Sequence, residues 1–293
     1  MSTLIPPLIV IVGETASGKS ELAMELAQRF DGELICADSW TVYKDFDIGS
    51  AKPTAMERAA VRHHLLDVAD PVDGYSAAIF QGMAQATIKD ISTRGKVPIL
   101  VGGTGLYIDS VLFDYGFLPP PLSALRIELN ALRLEELIER CTTMGIDTAG
   151  IDLRNKRRVI RLIENQGVRP SRASVRSNTL ILGLHVPPDE LCSRIESRVD
   201  DMINRGLEHE ACSLAGKYGW NNEAMKGIGY AEWQGYAAGT QSVQETKGLI
   251  ATHTLNLAKR QRTWFKRNKS IQWLTNRDKL SEAVAVTTTF LYK

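Results

Sequence analysis

A glycine-rich segment near the start of the chain constrains the fold more than any other feature of the sequence. Gly13–Ser20 reads GETASGKS and fits GxxxxGK[ST] at every specified position. It follows the apolar run Leu8–Val12, typical of a buried parallel strand, and precedes Glu21–Phe30, whose apolar residues have helical spacing. This order predicts a phosphate-binding loop, in which successive backbone N–H groups point at one anion. Lys19 supplies a full positive charge.

Further strands and helices alternate along the chain, which predicts a parallel sheet built by right-handed crossovers. We expect an α/β fold, a P-loop NTPase-like parallel sheet flanked by helices and carrying a mostly helical insertion domain. The predicted strands are Glu33–Asp38, His64–Val68, Val97–Val101, Thr179–Val186 and Ile271–Leu274, and the predicted helices of the core are Ser76–Thr93, Pro188–Gly216 and Ser242–Lys266.

The insertion is predicted from a change of pattern in the middle of the chain. Phe117–Pro121 is a proline-rich break, and from Ser123 to about Gly167 the apolar spacing is helical only. We therefore predict a first part of the core at residues 1–117, a helical insertion at 118–178, and a second part of the core at 179–293.

One acidic residue expected of a standard NTPase is missing. Such enzymes carry a carboxylate at the end of a second buried strand, where it holds Mg²⁺ and orders water. Here Val97–Val101 ends in Gly-Gly-Thr-Gly, and the acid that follows a strand is Asp38. At a carboxyl strand edge Asp38 could act as a general base or a partner of Mg²⁺ through water, or it could cap the following turn. The missing acid suggests that the bound phosphate compound is not hydrolysed.

Charge is balanced overall but concentrated locally. The formal net charge is +1, yet Arg154–Arg161 and Lys259–Lys269 carry five and six basic residues and no acid. Two such stripes suit a polyanion such as RNA, and each could instead be a solvated helix face. Trp264 and Phe265, within the second stripe, are either core residues or surfaces on which bases stack.

Other features narrow the class of protein. The four cysteines are far apart and form no CxxC, which argues against a disulfide framework or a zinc site. No apolar run reaches the ~20 residues that span a bilayer, so we expect no membrane partner. The opening residues lack a basic leader, and we expect a cytoplasmic protein.

The chain resembles the bacterial tRNA dimethylallyltransferases, the IPP transferase family, in an ordered set of motifs along nearly its whole length. The motifs are GETASGKS, ADSWTVYKDFDIGSAKPT, HHLLDV, VGGTGLY, NKRRVIRLIE, RIESRVDDMINRGLEHE, GIGYAEW and AKRQRTWFKR. The resemblance implies transfer of a dimethylallyl group from dimethylallyl diphosphate to the exocyclic N6 amine of the adenosine 3′ of the tRNA anticodon, with release of pyrophosphate. It implies Mg²⁺ as the cofactor and the anticodon stem-loop as the partner, and we expect a monomer.

The resemblance also implies roles for individual residues. Asp38, Lys19, Thr104 and Arg198 would be catalytic, with Asp38 accepting the amine proton and Arg198 clamping the pyrophosphate. The diphosphate would be held by Gly13, Glu14, Thr15, Ala16, Ser17, Gly18, Lys19 and Ser20, with Ser20 also near Mg²⁺. The tRNA contacts would be Asp38, Ser39, Trp40, Thr41, Thr104, Arg126, Arg157, Arg158, Val159, Ile160, Arg161, Lys226, Gly227, Ile228, Gly229, Tyr230, Lys259, Arg260, Gln261, Arg262 and Lys266.

One departure lies in the phosphate loop, and three other functions stay open. Glu14 stands where the family usually has proline, and we expect its side chain to point away from the diphosphate. The alternatives are a P-loop kinase of small molecules or nucleotides, a prenyltransferase that acts on free AMP or ADP, and a nucleotide-gated RNA-binding protein without chemistry.

Overall fold

The computed structural model describes residues 5–119, 123–275 and 278–293. The proline break therefore lies partly outside the described residues, at 120 and 121. The strands are β1 (Leu8–Gly13), β2 (Gly32–Cys36), β3 (His63–His64), β4 (Val97–Gly102), β5 (Thr179–Leu184) and β6 (Gln272–Trp273). The helices are α1 (Lys19–Arg29), α2 (Ala55–Ala60), α3 (Ala77–Thr93), α4 (Gly105–Leu112), α5 (Ser123–Ala131), α6 (Leu134–Thr143), α7 (Lys156–Glu164), α8 (Pro188–Asn204), α9 (Leu207–Tyr218), α10 (Trp233–Ala237), α11 (Val243–Phe265) and α12 (Lys279–Leu291), with a 3₁₀ turn at Ala224–Lys226.

The six strands of the described residues are all parallel, in the order β3-β2-β4-β1-β5-β6. β1 lies at the centre, where Val10 is opposite Leu100 of β4 and Ile181 of β5. The chain leaves β1 toward one side of the sheet and later returns to the other side. Ligands bind at such a switch point, outside the carboxyl ends of the strands. The α/β prediction is confirmed.

Helices cover both faces of this sheet. On one face Ile9, Ile11 and Leu34 pack with Leu26 of α1 and Ala283 of α12. The alternation of strand side chains sends Val10 and Val12 to the opposite face, where α3, α4 and α11 contact the strands. A second apolar cluster joins helices α8 to α11 to the loop after β2, through Phe46, Tyr230 and Trp233. These packed layers fix the ends of β1, β2, β4 and β5 at one edge.

The chain divides into two compact units. One comprises Met1–Leu112 together with Arg176–Lys293 and contains the sheet; the other is Phe113–Val175. The second unit is helical, as predicted, and α5, α6 and α7 enclose a core that includes Leu129, Leu137 and Ile163. Its ends lie a few residues before the limits of 118 and 178 that the sequence pattern suggested. Within the described residues, no helix is long and apolar enough to cross a membrane.

Two local predictions differ from the structure. The strand expected over His64–Val68 ends at His64, because Leu65 and Asp67 adopt positive φ angles of 63° and 57°. The helix expected over Pro188–Gly216 is two helices, α8 and α9, which are separated at Arg205 and Gly206.

Candidate active site

The phosphate loop leaves β1 at the centre of the sheet and leads directly into α1. Gly18 has φ +87°, which glycine adopts without the strain of a side chain, and it precedes the first turn of the helix. Ser17 N–H donates to Glu14 O at 3.2 Å, and Lys19 Nζ donates to the same oxygen at 3.3 Å. The loop therefore holds the Lys19 ammonium beside the amides of the helix N-terminus, an arrangement that attracts anions.

Two positively charged side chains of this site, those of Lys19 and Arg198, have little negative charge around them to compensate their own. Burial and the neighbouring Arg198 lower the pKa of Lys19 to about 8, although Asp38 and Glu14 act in the opposite direction. Burial also lowers the pKa of Arg198, and Asp38 partly offsets it. Among the described residues, the Arg198 guanidinium has no hydrogen-bond or ion-pair partner. Partly buried cations that form no ion pair with a described carboxylate favour a negatively charged ligand.

Asp38 follows β2 by two residues and has two separate carboxylate oxygens to offer. Oδ1 accepts from Trp40 N–H at 2.9 Å, which is the turn-capping role that the sequence left open. Oδ2 has no hydrogen-bond partner in the described part of the chain. One oxygen thus fixes the side chain, and the other is available to a substrate. Capping and catalysis are compatible here.

The loops after β2 and β4 are joined directly. Thr104 Oγ1 accepts from Ser39 N–H at 3.1 Å, and Thr104 N–H donates to Ala37 O at 3.2 Å. The Trp40 indole N–H donates to Ala224 O at 2.8 Å, so the ring lies against the 3₁₀ turn. These bonds place Asp38, Ser39, Trp40 and Thr104 side by side at the sheet edge.

Two cavities open at this edge and meet at Asp38. One, of about 380 Å³, includes Lys19 and Ser20 of the phosphate loop. The other, of about 490 Å³, includes Trp40 and Thr104. The residues that line both are Thr15, Asp38, Ser50, Arg198, Leu257 and Gln261. A ligand in each cavity would be in contact with the same carboxylate.

A third cavity lies on the other side of the phosphate loop. It has a volume of about 810 Å³ and is lined by Ser17, Gly18 and residues of α12. It is larger than the other two, yet it contains none of the four residues expected to be catalytic. We therefore place the candidate active site in the two cavities that share Asp38.

Ser50 lines both joined cavities, and it was not predicted from the sequence as a site residue. The Glu210 carboxylate of α9 accepts from Ile48 N–H at 2.9 Å and Gly49 N–H at 3.1 Å, and from the Tyr230 hydroxyl at 2.8 Å. Tyr230 Oη in turn accepts from Ser50 N–H at 3.1 Å. Ser50 lies within the motif DIGSAKPT, which was its one available signal. Glu210 lies at the end of the motif RIESRVDDMINRGLEHE, but its sequence neighbours do not indicate that it binds the loop after β2.

Several residues expected to contact tRNA have their side chains inside the protein. Tyr230 is 0% exposed and serves the loop just described. Thr41 is buried, and Gly227 lies directly beneath the Trp40 ring. For the Tyr230 side chain the expected tRNA contact is corrected, because packing excludes solvent from it, whereas Thr41 lines the smaller of the two joined cavities. Lys226, Ile228 and Gly229 do line the larger of the two joined cavities.

The residues of the basic stripe on α11 fall into two groups, one exposed to solvent and one directed toward the phosphate loop. Lys259, Arg260 and Lys266 are exposed, and their side chains have no partner among the residues described. Gln261 is 8% exposed and Arg262 is half-buried, and both contact the phosphate loop instead of solvent. The expectation of tRNA contact is therefore corrected for the Arg262 side chain, whereas Gln261 lines both joined cavities and its expected contact stays a prediction.

The two aromatic residues of the same stripe lie in different environments. Phe265 is a core residue. Trp264 is half-buried, and its indole N–H donates to Asp109 at 3.0 Å while its ring lies against Gly105. Trp264 also lines the larger of the two joined cavities, so its side chain would be accessible to a base bound there.

Within the helical unit, some of the basic side chains are exposed on the surface and others are paired with acidic residues. Arg157 and Arg158 are exposed on α7, whereas Val159 and Ile160 are 0% and 1% exposed in the core of the unit. Tertiary packing thus corrects the expected contacts of Val159 and Ile160, because their side chains cannot reach an RNA. Arg126 and Arg161 both contact the buried Glu164 carboxylate, and Arg161 also donates to Leu118 O at 2.8 Å. Arg154 lies before α7, where it pairs with Asp152 at 3.0 Å.

Glu14 is buried with its carboxylate away from both joined cavities. Its Oε1 accepts from Val186 N–H at 3.1 Å, from Arg262 at 3.0 Å and from His185 Nδ1 at 2.9 Å. Burial raises the pKa of Glu14, but these hydrogen bonds outweigh it and the pKa is lowered. The carboxylate is therefore ionised and neutralised by its partners, as expected of an acid beside a phosphate loop.

The oxygen atoms available at this site suit a metal ion that is coordinated mainly by the phosphates of a bound substrate. Within the described residues, no group of three or more His, Cys, Asp or Glu side chains could hold a metal ion. The Ser20 hydroxyl and the Asp38 carboxylate line the same cavity as Lys19. Mg²⁺ commonly takes one or two protein oxygens, substrate phosphates and water, and the residues present fit that pattern.

Fold and site together define a phosphate-loop protein in which one carboxylate lines two joined cavities. The family model described as IPP transferase matches residues 41–268. The chain belongs to the IPP transferase family.

Relatives of known name match most of the chain. It is 42% identical over 279 residues to a tRNA dimethylallyltransferase of Exiguobacterium sp., covering 92% of this chain and 90% of that one. It is 42% identical over 296 residues to tRNA dimethylallyltransferase 1 of Pelobacter propionicus, covering 94% and 95%.

Solved structures agree with these matches. The full-length tRNA isopentenylpyrophosphate transferase from Bacillus halodurans is similar with a TM-score of 0.77 and 34% identity, covering 98% of this chain and 97% of that one. A eukaryotic dimethylallyltransferase acting on tRNA gives a TM-score of 0.81 at 27% identity, covering 98% and 80%.

Proposed function

We propose that this protein transfers the dimethylallyl group of dimethylallyl diphosphate to the exocyclic N6 amine of the adenosine 3′ of the anticodon in tRNA, and releases pyrophosphate. The observation that carries the proposal is the position of Asp38, which lines both the cavity of the phosphate loop and the cavity beside Thr104. Family membership supports tRNA prenylation over the three alternatives left by the sequence.

The smaller of the joined cavities would take the diphosphate. When the allylic carbon–oxygen bond breaks, its electron pair stays on the leaving oxygen, so the pyrophosphate gains one further negative charge while the carbon becomes carbocation-like. Lys19, Arg198 and the loop amides stand ready to stabilise that charge, and loss of one such donor typically costs about 3 kcal/mol of barrier. Ser20 and the diphosphate oxygens would hold Mg²⁺. When bound, Mg²⁺ neutralises part of the diphosphate charge.

The larger of the joined cavities would take the adenine. An adenine amine is a weak nucleophile, because its lone pair is delocalised into the ring. As the new C–N bond forms, the nitrogen gains acidity, and Asp38 Oδ2 is available to accept the proton. A placed base of this kind contributes roughly 10²–10⁴-fold. Thr104 holds the loop of Ser39 and Trp40 beside it.

The acceptor must be unstacked before it can enter this cavity. Extruding a base costs a few kcal/mol, which contacts to the RNA backbone offset. Arg260 and Lys226 lie at the mouth of the cavity, and Lys259 and Lys266 extend the exposed basic surface along α11. In the helical unit, the exposed Arg157 and Arg158 add a second basic surface. We propose these side chains as the tRNA contacts.

A small-molecule kinase is the less favoured function. Phosphoryl transfer needs a carboxylate to hold the metal at the end of the second buried strand, and β4 ends in glycine with Thr104 beyond it. A prenyltransferase acting on free AMP shares both cavities with the proposal. It would have no use for exposed basic surfaces outside the cavities.

The test is a transfer assay with three acceptors. The protein and Mg²⁺ are mixed with radiolabelled dimethylallyl diphosphate and an anticodon stem-loop with adenosine 3′ of the anticodon. Parallel reactions carry AMP, or the same stem-loop with inosine at the target, which lacks the exocyclic amine. A further reaction replaces the prenyl donor with labelled ATP.

We expect label to enter the adenosine stem-loop and neither control. Label in AMP alone would keep the chemistry and move the acceptor to a free nucleotide. Phosphate release from ATP without prenyl transfer would overturn the proposal in favour of a kinase or ATPase. The cytoplasmic location and the monomeric state stay predictions.

A further inference from the structure

Two consecutive residues of α11 hold the phosphate loop in place. Gln261 and Arg262 lie within the basic stripe, between the exposed Arg260 and the exposed Lys266. Their side chains point inward, and each one reaches a different residue of the loop. This makes the inner side of α11 part of the donor site, although its outer side carries the proposed RNA contacts.

The Gln261 amide joins the loops that follow β1 and β4. Its Oε1 accepts from Thr15 N–H at 2.8 Å, and its Nε2 donates to Gly103 O at 3.0 Å. The two partners have opposite polarity, so only one orientation of the amide satisfies both. Gln261 also lines both joined cavities. It therefore fixes the spacing between the phosphate loop and the loop of Thr104.

The Arg262 guanidinium joins the phosphate loop to the end of β5. It donates to the Glu14 carboxylate at 3.0 Å and to Val186 O at 3.4 Å. Glu14 is 1% exposed, and a buried carboxylate needs such partners to remain charged. Without Arg262, the loop would carry a less compensated negative charge next to its own anion site.

We propose that Gln261 and Arg262 are positioning residues that hold the phosphate loop for the diphosphate, and that they are not part of the basic surface that binds the RNA backbone. The proposal rests on the function proposed above, since it concerns the same donor site. Gln261 uses both polar groups of its amide within the protein and presents 8% of its surface to solvent. Arg262 is committed to Glu14. The adjacent Lys259 and Arg260 remain available to the RNA phosphates.

The test measures the binding of two ligands separately, so that no prenyl transfer is needed. Inorganic pyrophosphate is titrated by calorimetry in the presence of Mg²⁺, and the anticodon stem-loop by filter binding. The variants are Gln261→Leu, Gln261→Glu, Arg262→Gln and the double variant Glu14→Gln/Arg262→Gln. Lys259→Ala is the matched control on the outer side of the same helix.

For Gln261→Leu we expect pyrophosphate binding about tenfold weaker, since a loop amide and a carbonyl both lose their partner. Gln261→Glu keeps the Thr15 contact but turns a carboxylate oxygen toward Gly103 O and adds a negative charge beside the anion site, so it should weaken pyrophosphate binding at least as much. It also decides the matter if Gln261→Leu does not fold. Arg262→Gln should weaken pyrophosphate binding similarly, and adding Glu14→Gln should restore part of it. Stem-loop affinity should stay within about twofold in all four variants. Lys259→Ala should show the reverse pattern.

Unchanged pyrophosphate affinity in both Gln261 variants, or stem-loop binding weakened as much as pyrophosphate binding, would overturn the positioning role. A double variant no better than Arg262→Gln would overturn the part played by Glu14. If the wild-type protein itself binds no pyrophosphate, the proposed function fails instead, so the two failures are distinguishable.

Discussion

The charge of Lys19 makes pyrophosphate binding depend on pH in a defined direction. With a pKa of about 8, Lys19 is mostly charged at pH 7 and mostly neutral at pH 9 in the free protein. A bound diphosphate favours the charged form, so above pH 8 binding takes up a proton. Affinity should therefore fall as the pH rises.

The magnitude follows from the fraction of Lys19 that is protonated. About nine tenths is protonated at pH 7 and about one tenth at pH 9. If the complex keeps Lys19 protonated throughout, the Kd for pyrophosphate rises about tenfold over these two pH units, or about 1.4 kcal/mol. For the folded protein alone the sign is opposite, because charged Lys19 costs stability that is regained between pH 8 and its ordinary pKa of 10.5.

Calorimetry in buffers of different ionisation enthalpy measures both the Kd and the proton uptake. The Lys19→Arg variant is the control, since an arginine stays charged throughout this range. Its Kd should follow only the titration of pyrophosphate itself. Parallel pH profiles for the two proteins, or no excess proton uptake by the wild type near pH 8.5, would refute the reasoning.

Three further predictions concern other parts of the molecule. Asp38→Asn keeps an acceptor for Trp40 N–H but removes the base, so the transfer rate should fall roughly 10²–10⁴-fold while pyrophosphate still binds; an unchanged rate would show that another group takes the proton. Lys259→Ala should reduce the slope of log K for stem-loop binding against log salt by about 0.7–0.9, and Lys89→Ala, at the exposed surface of α3, should not. Glu33 has its pKa lowered to about 2, chiefly by the Arg94 guanidinium, so its stabilisation is complete above its ordinary pKa of 4.5 and is lost as the pH falls toward 2. Glu33→Gln should cost about 1–3 kcal/mol in urea unfolding at pH 7 and less at pH 3; equal losses at both values would contradict the assignment.

The parts of the site that could be predicted are those that the local sequence specifies. Leu8–Val12, the glycine-rich loop and the start of α1 follow one another directly, and short-range rules describe each of them. Asp38 and Thr104 could be placed because the carboxyl ends of parallel strands meet at one edge. Family resemblance then supplied their roles.

The parts that could not be predicted depend on contacts between distant residues. Glu210 accepts from the backbone of Ile48 and Gly49, more than 160 residues earlier, and no local pattern encodes that bond. The strand expected at His64–Val68 stops early, where Asp67 pairs with the buried Lys52. In both cases the backbone conformation depends on a charged side chain from another part of the chain.

The stripe on α11 shows a different kind of error. The composition of Lys259–Lys269 suggested a single basic surface, but successive residues of a helix point to different sides. Ile250, Ala258, Gln261 and Phe265 are buried and follow helical spacing, so the inward position of Gln261 could have been found from periodicity.

The ends of the helical unit bear on how such a protein can change in evolution. Arg176 N–H donates to Leu112 O at 2.7 Å, so the chain leaves the sheet-containing unit and re-enters it at neighbouring points. The unit that contains the strands and the phosphate loop is therefore joined by a hydrogen bond at the two points where the intervening segment leaves and re-enters it. A change in the length of that segment should therefore leave the sheet and the phosphate loop in place.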